Sequence, residues 1–118
     1  MIRLYPDFLC GFLEFVNEFG LTGEPCNIVI VPGCPAVEGG DGGHGFGVYH
    51  PERRMIWIAG DPGGDDVPAD EKEDIICETI AHEYIHHVQH VEGRDFDEKE
   101  AEEQAEDIFA RWLVENRR

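Results

Sequence analysis

The fold is decided by the longest helical pattern in the chain, residues 68–93, which read PADEKEDIICETIAHEYIHHVQHVEG. The first turn is acidic, which suits the positive end of a helix dipole, and Gly93 is typical of a helix end. Apolar residues recur at helical spacing along the stretch: Ile75, Ile76, Ile80, Tyr84, Val88 and Val91. The pattern therefore predicts a helix with one buried face from about Pro68 to Gly93.

The same stretch contains a His-Glu-x-x-His motif, His82 to His86. One helical turn separates the two histidines, so both rings lie on one face and two nitrogens can bind a single Zn²⁺ at about 2.0–2.1 Å. Glu83 lies beside them, where it can take a proton from a water held by the metal. An acidic chain can also carry such residues on an ordinary solvated helix face. The motif predicts two metal ligands and a general base, and a catalytic site needs a third protein ligand.

The remaining patterns predict an α+β fold. They comprise a helix over Pro6–Phe19, a buried strand over Cys26–Val31, strands over Phe46–His50 and Met55–Ala59 joined by a turn, and a last helix over Asp97–Asn116. We expect an N-terminal helix, a small and mostly antiparallel sheet, the motif helix and a glutamate-rich C-terminal helix. The helices pack on one face of the sheet.

Length and charge narrow the possible partners. The 118 residues suit one domain, residues 1–118, and the apolar fraction of 42% supports a single core. Nine Lys and Arg stand against 26 Asp and Glu, which gives a net charge of −17. Such acidity argues against nucleic acid and anionic membranes as partners. The chain shows neither a membrane-spanning run nor a signal-peptide pattern, so we expect a cytoplasmic location. The oligomeric state is left open.

Two schemes could complete the metal site. In the first, a third His follows six residues after the second, with a Gly three residues after the second. This chain has Glu92 and Gln89 at those positions, so the first scheme fails. In the second scheme, a glutamate arrives from the next helix. The candidates there are Glu98, Glu100, Glu102, Glu103 and Glu106.

Residues 103–110 read EQAEDIFA and fit the pattern Glu-x-x-x-Asp-x-Phe-small. With His-Glu-x-x-His upstream, the chain resembles the gluzincin metallopeptidases, and most closely the stand-alone catalytic cores called minigluzincins. The resemblance implies a zincin-like fold and a catalytic Zn²⁺ held by His82, His86 and Glu103. It also implies that Asp107 orients His82 from behind.

The chain departs from this pattern at one position. Many relatives have Ala before the Asp, where this chain has Glu106. A second register, with Glu102 as the ligand and Glu106 behind it, also remains open. Glu102 lies nearer the apolar stripe of the helix, whereas Glu103 keeps the family spacing.

The resemblance implies a zinc metalloendopeptidase that acts on a peptide or protein substrate, with Glu83 as general base. The substrate would lie extended along a sheet edge, formed by residues 46–50 or 55–59. The oxyanion-stabilising group has four candidates: Tyr49, His50, His44 and Tyr84. The alternative is a zinc-binding regulatory or interaction module of the same fold that is weakly active or inactive.

Overall fold

The computed structural model describes residues 26–38 and 44–116. Within these ranges the strands precede the helices, which confirms the α+β class. The elements are β1 (Asn27–Val31), β2 (Val37–Glu38), β3 (His44–Gly45), β4 (Gly47–His50), β5 (Met55–Ala59), a 3₁₀ turn (Gly64–Asp66), α1 (Ala69–Val91) and α2 (Glu98–Asn116). The helix predicted over residues 6–19 lies outside the described residues.

The main sheet is mixed, whereas the sequence suggested a mostly antiparallel one. Its strand order is β1-β5-β4, with β1 parallel and β4 antiparallel to β5. A short turn joins β4 to β5, and such a turn can only connect antiparallel strands. Between β1 and β5 the chain passes through β2, β3 and β4, and it then enters β5 running in the same direction as β1. The strands β2 and β3 pair separately, and β4 lies at one edge of the main sheet.

The core lies between one face of the sheet and the two helices. Ile56 and Ile58 of β5 are fully buried, as is Ile80 of α1, and Ile108 and Trp112 of α2 pack into the same cluster. Burying a side chain of this size stabilises the fold by about 1.5–3 kcal/mol. Neither α1 nor α2 is apolar and long enough to cross a bilayer.

The connection between the helices is short and defined by hydrogen bonds. Gly93 has a φ of 75°, which favours glycine, and it allows the N–H of Arg94 to donate to the carbonyl of Gln89 at 2.9 Å. Asp97 then caps α2, because its Oδ1 accepts the N–H of Glu100 at 3.1 Å. A connection this short makes the helices antiparallel neighbours, so the first turn of α2 lies beside the last turns of α1.

Candidate metal centre

His82 and His86 of α1 lie beside Glu98, the first residue of α2. The His82 Nε2 atom is 3.3 Å from Glu98 Oε2, and the His86 Nε2 atom is 2.5 Å from Glu98 Oε1. The three side chains offer ligand atoms that all lie within 4.8 Å of one another. The two helices therefore bring together two imidazole nitrogens and one carboxylate.

The geometry and chemistry of this group fit a metal ion. Two ligand atoms bound at about 2.0–2.2 Å in a tetrahedral arrangement are separated by about 3.3–3.6 Å. The His82–Glu98 distance of 3.3 Å already meets this separation. The distance from His86 Nε2 to Glu98 Oε1 would need to lengthen by about 0.8–1.1 Å to reach it. The Glu98 side chain is 71% exposed and has room for that adjustment, whereas the His86 side chain is only 6% exposed and is held in place.

Glu83 follows His82 in the sequence, and its carboxyl group lies close to His82, His86 and Glu98. Burial, with a smaller contribution from the negative charge of Glu98, raises the pKa of the Glu83 carboxyl above its ordinary value. His82, His86 and the backbone N–H of Tyr49, which donates to the carboxylate, all act to lower that pKa. A carboxylate that is fixed in place and more basic than usual is suited to accept a proton.

Gly47, at the start of β4, lets the sheet edge come close to Glu83. A Cβ atom at this position would lie 2.4 Å from Thr79 Cγ2 and 3.3 Å from Glu83 Cγ. The first of these distances is too short for any real side chain. The absence of a side chain at residue 47 therefore allows β4 to lie directly against the motif helix.

A cleft of about 460 Å³ opens next to the metal-binding group. It is lined by Phe46, Gly47, Glu78, Thr79, His82, Glu83, Glu102, Ala105 and Glu106. Burial, followed by the charges of Asp74 and Glu106, raises the pKa of Glu78. Four of the lining residues carry carboxyl groups, so the cleft is strongly electronegative.

The structure does not bring Glu103 or Asp107 to the histidines. The Glu103 side chain is 66% exposed, and its carboxylate lies 4.0 Å from Lys99 on the same helix. Asp107 is exposed and pairs with Arg111 at 3.2 Å. Glu98 is the carboxylate of α2 that the structure places beside the two histidines.

The phase of α2 explains this difference. At about 100° per residue, Glu103 lies about 140° around the helix from Glu98, and Asp107 about 180°. Glu102 lies only about 40° from Glu98, and it lines the cleft beside His82. The sequence feature that could have identified Glu98 is the apolar stripe of α2, because this stripe fixes which face of α2 turns toward α1.

The candidates for oxyanion stabilisation lie in different surroundings. The Tyr49 side chain is buried, its hydroxyl shares a 2.7 Å hydrogen bond with His87 Nδ1, and burial raises the pKa of Tyr49 to about 12. The His50 ring packs against Trp57 and lines a separate cavity of about 350 Å³ that also contains Cys34. Neither Tyr49 nor His50 lines the acidic cleft.

Comparison of the chain with protein-family models, curated proteins and solved structures gives no match. Of the expected likeness to gluzincins, the structure supports a group of His82, His86 and Glu98 on two helices that could hold a metal ion.

Proposed function

We propose that this chain is a zinc-dependent peptidase in which His82, His86 and Glu98 hold the metal and Glu83 is the general base. The observation that carries the proposal is the convergence of the three ligand atoms next to an open cleft that His82 and Glu83 line. Two imidazoles and one carboxylate are a ligand set used by catalytic zinc, which leaves one position for water or substrate.

A bound zinc would supply a Lewis acid that polarises a carbonyl and lowers the pKa of a water toward about 7. Glu83 accepts the proton of the attacking water and passes it to the leaving amine. The backbone N–H of Tyr49 keeps the Glu83 carboxylate aimed during this transfer. His82 and His86 stay on one face of α1 because a single helical turn separates them.

The edge strand β4 and the acidic cleft favour an extended, positively charged substrate. A peptide can add to a sheet edge through its main chain, and within residues 26–38 and 44–116 the strand β4 pairs on one side only, with β5. Gly47 keeps that edge next to Glu83. Glu78, Glu102 and Glu106 line the same cleft and attract Lys or Arg side chains. Peptides with basic residues near the cleaved bond are therefore the expected substrates.

The experiment compares the wild type with Glu83→Gln and with Glu71→Gln, which replaces an exposed glutamate on the same helix. Zinc content is measured by elemental analysis, and cleavage is followed on unfolded proteins and on peptides rich in Lys and Arg. Glu83→Gln should keep about one zinc per chain and lose at least about 10²–10⁴-fold in rate. Glu71→Gln should match the wild type, and removing zinc with a chelator should stop cleavage until zinc is returned.

Cleavage that is as fast in Glu83→Gln as in the wild type would rule out a peptidase site with Glu83 as its general base. Zinc bound without any cleavage would support the second candidate, a zinc-binding module that does not cleave. That candidate is favoured by the Tyr49 hydroxyl, which is committed to His87 and is not directed into the cleft. A protein that binds no zinc would rule out both.

A further inference from the structure

Gln89 is a fully buried polar residue, one helical turn beyond His86 on α1. Its side-chain amide makes four hydrogen bonds, which use all of its donors and acceptors. The Oε1 atom faces His86 Nδ1 at 2.9 Å and the backbone N–H of Asp97 at 3.1 Å. The Nε2 atom donates to the carbonyl of Asp97 at 3.1 Å and to Glu100 Oε1 at 2.8 Å.

These partners fix the orientation of the Gln89 amide. A backbone N–H can only donate, so the atom that faces the N–H of Asp97 must be the oxygen. A carbonyl and a carboxylate can only accept, so the atom that faces the Asp97 carbonyl and Glu100 must be the nitrogen. Because the amide oxygen only accepts, His86 Nδ1 must carry a proton and donate it to Gln89.

This orientation determines how His86 can bind a metal. With the proton on Nδ1, the Nε2 atom of His86 is the one available for a metal, and it is also the atom that points at Glu98. A lone pair on Nε2 and a carboxylate oxygen at 2.5 Å repel each other unless a positive charge is shared between them. A metal ion beside both atoms would supply that positive charge.

Gln89 also holds the start of α2. It bonds both the N–H and the carbonyl of Asp97, the residue that caps α2 and immediately precedes Glu98. In a capping box, the side chain of Glu100 would satisfy the N–H of Asp97. Here Gln89 takes over that role, and Glu100 instead accepts a hydrogen bond from Gln89. One side chain thus contacts a proposed ligand on α1 and the residue before a proposed ligand on α2.

We propose that Gln89 is the positioning residue of the metal centre: it directs His86 Nε2 toward the metal and sets where Glu98 enters the site. This inference rests on the proposed metal-binding function. A hydrogen-bond partner behind a ligand commonly changes metal affinity by about 10–100-fold. Gln89 does so for two ligands at once, because it links the helix that carries the histidines to the loop that delivers the carboxylate.

The test compares zinc affinity in the wild type, in Gln89→Met and in Gln104→Met, a matched control on the exposed face of α2. Affinity is measured on metal-free protein by competition with a chelator, and folding is checked by circular dichroism. We expect Gln104→Met to equal the wild type and Gln89→Met to bind zinc about 10–100-fold more weakly. NMR of the zinc-loaded wild type should show His86 bound through Nε2, with a slowly exchanging proton on Nδ1.

A double variant, Gln89→Glu with Glu100→Gln, separates positioning from simple packing. It moves the carboxylate to residue 89, where one oxygen still accepts from His86 and from the N–H of Asp97, and it provides an amide donor at residue 100. The other carboxylate oxygen cannot replace the hydrogen bond that Gln89 Nε2 donates to the Asp97 carbonyl. We therefore expect the double variant to recover only part of the affinity that Gln89→Met loses, with the Nδ1 proton of His86 again slow to exchange.

Equal zinc affinity in Gln89→Met and the wild type would overturn the inference and leave the proposed function intact. Binding of zinc through His86 Nδ1 in the wild type would also overturn it, even if Gln89→Met does not fold. Wild-type protein that binds no zinc would end the proposed function and the inference together.

Discussion

Replacement of Glu98 by Gln tests which glutamate completes the metal centre. The substitution keeps the shape of the side chain and removes the negative charge of the carboxylate, whose oxygens lie 3.3 Å from His82 and 2.5 Å from His86. Glu98 also sits in the first turn of α2, where a negative charge stabilises a helix by about 0.3–1 kcal/mol. The stability of the metal-free protein should therefore fall only slightly.

The expected effect on zinc affinity is much larger. Structural zinc sites with four ligands contribute about 10–16 kcal/mol, which is roughly 2.5–4 kcal/mol per ligand. Since a factor of ten corresponds to about 1.4 kcal/mol, losing the Glu98 carboxylate should weaken binding by about 10²–10³-fold. The two histidines would remain, and they would hold zinc weakly.

The assay is a chelator competition titration on metal-free protein at fixed pH and salt. Glu103→Gln is the matched control, because Glu103 is on the same helix and its carboxylate approaches only Lys99, at 4.0 Å. An exposed pair of this kind contributes about 0–1 kcal/mol to stability and nothing to a site on another face. Glu103→Gln should therefore bind zinc within about twofold of the wild type.

The reverse result would refute this reasoning. If Glu103→Gln lost zinc and Glu98→Gln kept it, α2 would have to be rotated by about 140° from the arrangement described. If Glu102→Gln alone lost zinc, the ligand would be one turn further along the same face. If all three variants kept full affinity, the site would consist of the two histidines without a carboxylate from α2.

Two further predictions concern the walls of the cleft. Gly47→Ala should lower the free energy of unfolding by about 1–3 kcal/mol because its Cβ meets Thr79 Cγ2. Adding Thr79→Ser should restore much of the lost stability in denaturant titrations. Gly45→Ala is the control and should have little effect, because a Cβ there has no neighbour closer than 3.8 Å. A Gly47→Ala variant as stable as the wild type would contradict the packing described. Glu78→Gln should raise the melting temperature of the metal-free protein at pH 7–8, because the raised pKa of Glu78 means that its carboxylate costs stability as pH rises through that pKa. The gain should vanish below about pH 4, where Glu78 is protonated in both folded and unfolded chains. Glu52→Gln, in the β4–β5 turn, should show no such pH dependence, and a gain in Glu78→Gln that is the same at every pH would refute the electrostatic explanation.

The sequence by itself determined the local structure. The strand predicted over residues 55–59 is the observed β5, and the helices predicted over residues 68–93 and 97–116 are the observed α1 and α2 to within one or two residues at each end. The spacing of His82, Glu83 and His86 also required no tertiary information, because the pitch of a single helix fixes which side chains share a face.

Only the tertiary structure decided what meets those three residues. Parallel pairing of β1 with β5 depends on how the chain returns, and alternation within a strand carries no information about its neighbour. The contact of Glu98 with the histidines depends on the end of α1 at Gly93, the cap at Asp97 and the rotation of α2 about its own axis. A motif match at Glu103 reflects only the spacing of residues along one helix and contains no information about that rotation.

Gln89 shows the limit most directly. In the sequence it counted only against the three-histidine scheme, because it stands where that scheme has a Gly. In the fold it lies fully buried between His86 and Asp97, with every hydrogen-bonding group used. The geometry of a single helix fixes which of its side chains share a face. Which residues of two helices meet depends on the loop between them, the helix cap and the packing of the helices, so it follows only from the tertiary structure.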